Sequence, residues 1–273
     1  MNRSPFAEPL CQLYSRGEFE ELIAHCSKLL KLLWTRSAVP HPESPGIVWW
    51  RAYAHYCLGD FCSAAIDFER AVEMHHALGN VPSDHAVICQ YLLGRTLLWT
   101  GRPAEAEEKF AEAFVWLDHM PEPEQTGRGF VQVDLAQLHR FEGEFEAAEH
   151  LLLQAKETMQ HYYGSASRHV GFVYFHMASV YERQGRTSPE DAAMEGAIRI
   201  LRSSIKEDDD GFSTVLSFNG LRLKRRGRLE ESRACQVEAL AILQRIRKPG
   251  HYLMERVKHR LAMLDEASAS SAG

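Results

Sequence analysis

The sequence predicts an all-α fold in which helix hairpins repeat along the chain. Six glycines stand at positions 17, 59, 101, 143, 185 and 227, so that consecutive ones are all 42 residues apart. An apolar stretch with the period of a helix precedes each glycine, and a second such stretch follows it. Glycine ends helices because it readily adopts a left-handed backbone. Each unit is therefore interpreted as two helices joined by a turn at its glycine.

Composition and hydropathy are typical of a folded chain outside the membrane. The 273 residues are 45% hydrophobic and include only 18 glycines and 11 prolines, which excludes a largely disordered chain. No run of about 18 apolar residues is present, and the N-terminus lacks the apolar core of a signal peptide. These features predict a cytoplasmic protein. The six cysteines form no CxxC pair and mostly fall at apolar helix positions, so they are expected to be reduced and buried.

One hairpin carries a recognisable set of small and aromatic residues, namely Leu93, Gly94, Gly101, Ala106, Phe110 and Ala113. This pattern resembles the tetratricopeptide repeat (TPR), which has Leu-Gly in its first helix and Ala, an aromatic residue and Ala in its second. The resemblance covers nearly the whole chain and implies a right-handed α-solenoid of about six hairpins. The period exceeds the usual TPR length of about 34 residues. It is similar to the variant in kinesin light chains and bacterial peptide-sensing TPR proteins.

The repeats predict a single domain over residues 1–266. A cap helix is expected over residues 251–266, because Leu253, Val257 and Leu261 share one helix face there and would cover the last hairpin. The Ala- and Ser-rich residues 267–273 are expected to be a disordered tail.

No catalytic motif supports an enzyme. The sequence contains no GxGxxG, GxxxxGK[ST], HExxH or GxSxG pattern. His75 and His76 are adjacent and point to different sides of a helix, so they are interpreted as a polar pair near a loop and not as metal ligands. We therefore expect no cofactor and no metal site. An enzyme that uses surface carboxylates and histidines is the least favoured alternative.

The resemblance to TPR proteins implies a ligand-binding groove lined by the first helix of each hairpin. Carrying the family's groove positions over by the glycine spacing gives these candidate partner-binding residues: Trp49, Tyr53, Tyr56, Tyr91, Arg95, Trp99, Gln137, Arg140, Phe175, Arg183, Lys224 and Arg225. The set is aromatic at its N-terminal end and basic at its C-terminal end. We expect a protein or peptide partner with hydrophobic and acidic groups. Packing between neighbouring helices is the alternative role for Trp49, Tyr53 and Trp99.

Charge is segregated along the chain. Residues 101–160 hold five basic and thirteen acidic residues, whereas residues 221–260 hold twelve basic and four acidic ones. The basic stretch 221–228, LRLKRRGR, is interpreted as facing an acidic partner, nucleic acid or water. The acidic middle and the pI of about 6.2 make nucleic acid the weaker choice.

The predicted function is a non-catalytic scaffold or adaptor that binds a protein or peptide in its groove. The alternative is a regulatory sensor of a small signalling peptide that acts through a partner chain. Oligomeric state stays open.

Overall fold

The computed structural model describes residues 6–33, 39–121, 127–204, 210–247 and 252–271. Every regular element in these ranges is an α-helix, which confirms the predicted fold class. None of these helices has the length and hydrophobicity needed to cross a bilayer. The helices form two compact units, Met1–Leu151 and Leu152–Gly273. The single domain over residues 1–266 stays a prediction.

The first unit is a series of helices in which each packs on the next. Its helices are α1 (Ala7–Ser15), α2 (Phe19–Leu32), α3 (Ser44–Leu58), α4 (Phe61–Ala77), α5 (Asp84–Trp99), α6 (Pro103–Asp118) and α7 (Arg128–Glu142). Helix α8 (Phe145–Tyr163) begins in this unit and ends in the second.

The second unit continues with the same arrangement of neighbouring helices. Its remaining helices are α9 (Arg168–Arg183), α10 (Thr187–Ser204), α11 (Asp210–Arg225), α12 (Leu229–Ile246) and α13 (Tyr252–Ser271). Helix α13 packs on α12 and corresponds to the predicted cap helix. It extends to Ser271, so residues 267–271 are helical where a disordered tail was expected. Alanine is the best helix former and no proline or glycine interrupts these residues. Residue 251 and residues 272–273 lie outside the described residues.

The turns between paired helices depend on the repeated glycines. All six have a positive φ, between 69° and 87°. At Gly59 the N–H donates to the Tyr56 carbonyl at 3.1 Å, and the Asp60 N–H donates to the His55 carbonyl at 3.0 Å. These two bonds satisfy carbonyls that the helix end leaves free, and their geometry requires a left-handed residue. The glycine period therefore reflects a backbone requirement that recurs in every hairpin.

Close packing within a hairpin depends on a small residue that faces a large one. A Cβ atom added at Gly94 of α5 would lie 2.7 Å from the ring of Phe110 on α6, a side chain that is fully buried. Only a residue without a side chain allows the two helices to approach this closely. Ala52 and Phe68 occupy the equivalent positions one repeat earlier, and both are fully buried.

The first hairpin reverses this size relation. Leu10 of α1 and Cys26 of α2 stand at the positions of Gly94 and Phe110, and both are buried. The large residue therefore lies on the first helix and the small one on the second.

Gly220→Ala is expected to lower the free energy of unfolding of the second unit by about 1–3 kcal/mol. The added Cβ would meet the Gln236 amide nitrogen and lie 3.1 Å from the Ser232 backbone oxygen. Gln236 is 1% exposed and hydrogen-bonds Ser217 through both ends of its amide, so it cannot move aside freely. Urea unfolding followed by circular dichroism measures the change. The control is Gly46→Ala in α3, where no atom lies within 4 Å, and there we expect about 0.5–1 kcal/mol of added stability. Equal effects at both sites would contradict the prediction.

The expectation of buried cysteines is wrong for half of them. Cys26 and Cys89 are buried and Cys235 is half-buried, whereas Cys11, Cys57 and Cys62 are exposed. Helical periodicity assigns a residue to one side of a helix, but it does not say how far neighbouring helices cover that side.

Candidate functional site

Side chains of α3 and α5 form a surface of the first unit that is here called the aromatic face. Its members are Trp49, Tyr53, Tyr56, Tyr91, Arg95 and Trp99. Within each helix they follow one another at intervals of three or four residues, which places them on one side of that helix. The structure therefore brings together the six predicted partner-binding residues of these two helices.

Three aromatic rings of α3 stack along the helix. The ring centroids of Trp49 and Tyr53 are 5.3 Å apart with an interplanar angle of 11°, and those of Tyr53 and Tyr56 are 6.1 Å apart at 14°. Tyr14 of α1 lies 5.6 Å from Tyr53, and His85 of α5 lies 5.8 Å from Trp49. All three rings are half-buried and pack on core residues. Packing is therefore a real role for Trp49 and Tyr53, in line with the alternative weighed from the sequence.

Burial also sets the protonation of the two tyrosines. It raises the pKa of the Tyr53 hydroxyl well above its ordinary value, and Tyr14 adds to the shift. It also raises the pKa of the Tyr56 hydroxyl, although the charge of Arg95 opposes that rise. Both hydroxyls are thus neutral hydrogen-bonding groups at physiological pH.

Trp99 is the most exposed aromatic residue of the aromatic face. Its side chain is 62% exposed, and one side of its ring stacks on Phe61 with centroids 5.6 Å apart and an angle of 12°. The residues one repeat before and after, Cys57 and Phe141, are exposed as well. This repeat position therefore points to solvent throughout the first unit, and Trp99 can contact another molecule without losing its support.

Arg95 links the aromatic face to α7. Its guanidinium carbon lies 5.7 Å from the Tyr56 ring centroid, and its Nε lies 3.8 Å from Asp134 Oδ1. The charge of Asp134 raises the pKa of Arg95, whereas burial raises the pKa of the Asp134 carboxyl against the opposing charge of Arg95. The Arg95 side chain is 44% exposed and that of Asp134 is 14% exposed. Arg95 therefore still presents hydrogen-bond donors to solvent.

The predicted residues of α7 lie next to this surface. Arg140 Nε donates to Gln137 Oε1 at 3.1 Å, and the Arg140 guanidinium lies 4.3 Å from the Phe141 ring centroid. Gln137 Nε2 and the indole nitrogen of Trp49 are buried and have no hydrogen-bond partner among the described residues. A buried donor left unpaired costs about 1–3 kcal/mol.

The other four predicted residues lie in the second unit. Phe175 of α9 packs edge-on against Phe218 of α11, with ring centroids 5.3 Å apart. Arg225 pairs with Glu182 across the same two helices at 2.6 Å. Arg183 is exposed and Lys224 is half-buried. Phe175 and Arg225 thus already have partners within the chain.

The basic stretch 221–228 is largely neutralised by internal acids, a role that the sequence analysis did not consider. Arg222 is 5% exposed and, together with Arg226, contacts Glu190 and Asp191 of α10. Arg228 pairs with its helix neighbour Glu231 at 2.6 Å. These ion pairs leave far less free positive charge than a count of residues implies.

Sequence reasoning missed several residues that shape these surfaces. Asp134, Phe61 and Tyr14 support Arg95, Trp99 and Tyr53 respectively. Phe61 recurs as Phe19 and Phe145, and this repeat could have indicated a structural role, whereas Asp134 has no equivalent in the neighbouring repeats. His75 lies in the last turn of α4 and contacts Asn80 of the following loop, as predicted, but its burial was not predicted. It is 4% exposed, and its Nε2 lies 2.8 Å from His85 Nδ1.

Comparison with known proteins agrees with this fold. The model of the tetratricopeptide repeat family matches residues 220–252, which span the end of α11, all of α12 and the start of the cap helix. No curated protein matches the chain at a significant level of sequence similarity.

Several solved structures have a similar fold. BtubC (BKLC) from P. vanneervenii superposes with a TM-score of 0.64 and 22% identity, covering 82% of this chain and 90% of that protein. A kinesin light chain-like protein from P. anserina with nearly identical TPR-like repeats gives a TM-score of 0.58 and 18% identity, covering 72% of this chain and 92% of that protein. A Rap protein in complex with Competence and Sporulation Factor gives a TM-score of 0.64 and 12% identity, covering 96% and 74%. The chain thus has the fold of TPR proteins. Its structural neighbours include kinesin light chain-like and Rap proteins, as the 42-residue period predicted.

Proposed function

We propose that the chain is a non-catalytic scaffold that binds a protein or peptide segment on its aromatic face. The observation that carries this proposal is the exposure of Trp99, which is supported by Phe61 from behind and lies on the same helix as the half-exposed Arg95. Large aromatic and arginine side chains that a partner buries supply most of the energy of many interfaces. The TPR fold supports a binding role but does not identify the partner.

The chemistry of the aromatic face suggests the kind of segment that binds. An apolar side chain would cover the free side of Trp99, and a carboxylate would share Arg95 with Asp134. The expected ligand is therefore an extended or helical segment with one large apolar residue and one acidic residue.

Trp99→Ala is expected to weaken binding of such a segment by about 30-fold, which corresponds to about 2 kcal/mol. Peptides selected from a random displayed library against the wild-type chain would be synthesised, and their Kd values measured by fluorescence polarisation. Because Trp99 is exposed, its replacement leaves the thermal midpoint nearly unchanged, so lost binding would not reflect unfolding.

The matched control is Val115→Ala, an exposed apolar residue on the second helix of the same hairpin. It should leave the Kd unchanged. If the selected peptides bind the Trp99 variant as tightly as the wild type, the aromatic face is not the binding site. An effect of Val115→Ala equal to that of Trp99→Ala would move the site to the other side of the hairpin.

A second candidate function is a sensor of a small signalling peptide. Its support is the fold likeness to a Rap protein in complex with Competence and Sporulation Factor. A sensor changes shape or partner when its peptide binds, whereas a scaffold holds its partner without such a change. Hydrogen exchange with and without a selected peptide distinguishes the two, because a sensor would change protection in helices away from the aromatic face.

A further inference from the structure

Two histidines and a cysteine meet in the interior of the first unit, between α4 and α5. His75 Nε2 lies 2.8 Å from His85 Nδ1, and Cys89 Sγ lies 3.7 Å from the same nitrogen. The three atoms all lie within 4.8 Å of one another. His75 and Cys89 are buried, whereas His85 is half-buried and gives the group a route to solvent. His85 and Cys89 are four residues apart on α5, so both side chains lie on one side of that helix.

The repeat pattern shows that packing does not require these residue types. At the position of His75 the other repeats carry only leucine or methionine: Leu33, Leu117, Met159, Leu201 and Leu243. At the position of Cys89 the repeats from α3 onward carry only isoleucine or valine: Ile47, Val131, Val173, Val215 and Val257. Both apolar residues are replaced only here, where α4 meets α5, and the two replacements are in contact with the same imidazole. A buried imidazole needs partners for its nitrogens, which His85 and Asn80 supply as hydrogen bonds.

We propose that His75, His85 and Cys89 form a binding site for one thiophilic divalent cation, of which Zn²⁺ is the type. Imidazole and thiolate are the ligands that such ions prefer, and three protein ligands leave a fourth position for water or a bound group. The sulfur ligand and the burial exclude Mg²⁺ and Ca²⁺, which select oxygen ligands.

The distances suit such an ion after a small movement. With Zn–N bonds of about 2.0–2.1 Å and a Zn–S bond of about 2.3 Å, tetrahedral ligands lie roughly 3.3 Å apart for the two nitrogens and roughly 3.6 Å apart for nitrogen and sulfur. The nitrogen and sulfur atoms of His85 and Cys89 already match, at 3.7 Å. The two imidazole nitrogens, at 2.8 Å, would separate by about half an ångström as the ion replaces their hydrogen bond.

Neighbouring groups favour coordination. The 2.8 Å contact between His75 Nε2 and His85 Nδ1 requires one of the two nitrogens to be an unprotonated acceptor, which is the form that binds a cation. The Asn80 side-chain amide lies 3.3 Å from His75 Nδ1. Asn80 Nδ2 is the atom that faces His75 Nδ1; with the amide turned so that its oxygen faces the ring, Asn80 would accept a hydrogen bond from Nδ1–H and leave Nε2 free for the ion. The Cys89 thiol gives up its proton to solvent as the ion binds, one proton per ion.

Titration with Co²⁺ tests the site in the full chain, reduced and freed of metals by a chelator. We expect a thiolate charge-transfer band in the near ultraviolet that saturates at one Co²⁺ per chain and disappears when Zn²⁺ is added. His75→Leu and Cys89→Val introduce the residue types of the other repeats, so both variants should fold with unchanged helicity and yet lose the band. Asn80→Ala should weaken Co²⁺ affinity by about 10- to 100-fold.

Two controls separate this site from other ligands on the chain. A variant with Cys11→Ser, Cys57→Ser and Cys62→Ser removes the exposed thiols and should keep the band. His139→Ala disrupts an exposed group of a histidine and two glutamates, which holds no sulfur, and should also keep it. The proposal is overturned if the wild type shows no band, if Cys89→Val keeps it, or if the triple serine variant loses it.

Discussion

Replacing Arg222 with alanine is expected to lower the free energy of unfolding by about 3–5 kcal/mol. Arg222 is 5% exposed, and it is surrounded by groups that need its charge or its donors. Its guanidinium donates to Asn219 at 2.8 Å and to Asp191, and it lies 3.7 Å from Glu190 Oε1. Glu190 is itself 4% exposed, so the variant leaves a buried carboxylate with Arg226 as its remaining described cation. A buried carboxylate that keeps only one of its two cations is less well compensated, and this is costly because the interior cannot solvate it.

The control is Arg228→Ala, at the residue that directly precedes α12. Arg228 also forms an ion pair, with Glu231, but both side chains are about half exposed. Exposed pairs contribute only about 0–1 kcal/mol, so this variant should unfold almost like the wild type. Urea unfolding followed by circular dichroism provides the comparison. If the two variants lose equal stability, burial does not explain the stabilising effect of the Arg222 contacts.

The same network predicts how stability depends on pH. Burial alone would raise the pKa of Asp191, but hydrogen bonds from Arg222 and Arg226 outweigh it and lower the pKa below the ordinary value. A carboxyl whose pKa is lower in the folded chain stabilises the fold above its unfolded pKa. That contribution is lost as the pH falls through the folded pKa. Below about pH 4, the free energy of unfolding of Arg222→Ala should therefore fall less with decreasing pH than that of the wild type.

Phe110→Ala is expected to lower the free energy of unfolding of the first unit by about 3–5 kcal/mol. Phe110 is fully buried on α6 and fills the space that Gly94 leaves open on α5. Gly94 has no side chain, so it cannot fill the cavity that the variant would leave. Helix α5 carries Tyr91, Arg95 and Trp99, so loss of this contact should also weaken peptide binding on the aromatic face.

Phe141→Ala tests whether the loss of stability depends on burial or on residue type. This phenylalanine is 72% exposed, so its removal should change the unfolding free energy by less than about 0.5 kcal/mol. Thermal and urea unfolding of both variants give the comparison. A small loss from Phe110→Ala would contradict the packing described for the α5–α6 hairpin. A large loss from Phe141→Ala would contradict the exposure of that residue on α7.

The fold could be predicted from the sequence because its main requirements are local. A left-handed residue is needed at each hairpin turn, and glycine supplies it at a constant spacing. A small residue opposite a large one is needed within each hairpin, and Gly94 with Phe110 shows this in the sequence itself. Because these signals repeat six times, together they predict the fold although each is weak alone.

The candidate site could be predicted only in part, because its properties depend on contacts between distant residues. Trp49 and Trp99 look equally suitable in the sequence, yet Tyr53 and His85 contact Trp49, whereas Trp99 is largely exposed. Arg222 and Asp191 are 31 residues apart, and their pairing follows from how α10 packs on α11. Periodicity places residues on helix faces but does not reveal which neighbour lies opposite.

The reversed size pair at Leu10 and Cys26 bears on how a chain of this kind can change length. Internal hairpins such as α3–α4 and α5–α6 share one small-to-large arrangement and one turn geometry, so they are modular. After an insertion or deletion of 42 residues among them, the neighbouring hairpins would still pack through equivalent helix surfaces. The α1–α2 hairpin lacks that equivalence and cannot substitute for an internal module. Duplication of a module is therefore compatible with the packing of the α3–α4 and α5–α6 hairpins but not with that of the α1–α2 hairpin.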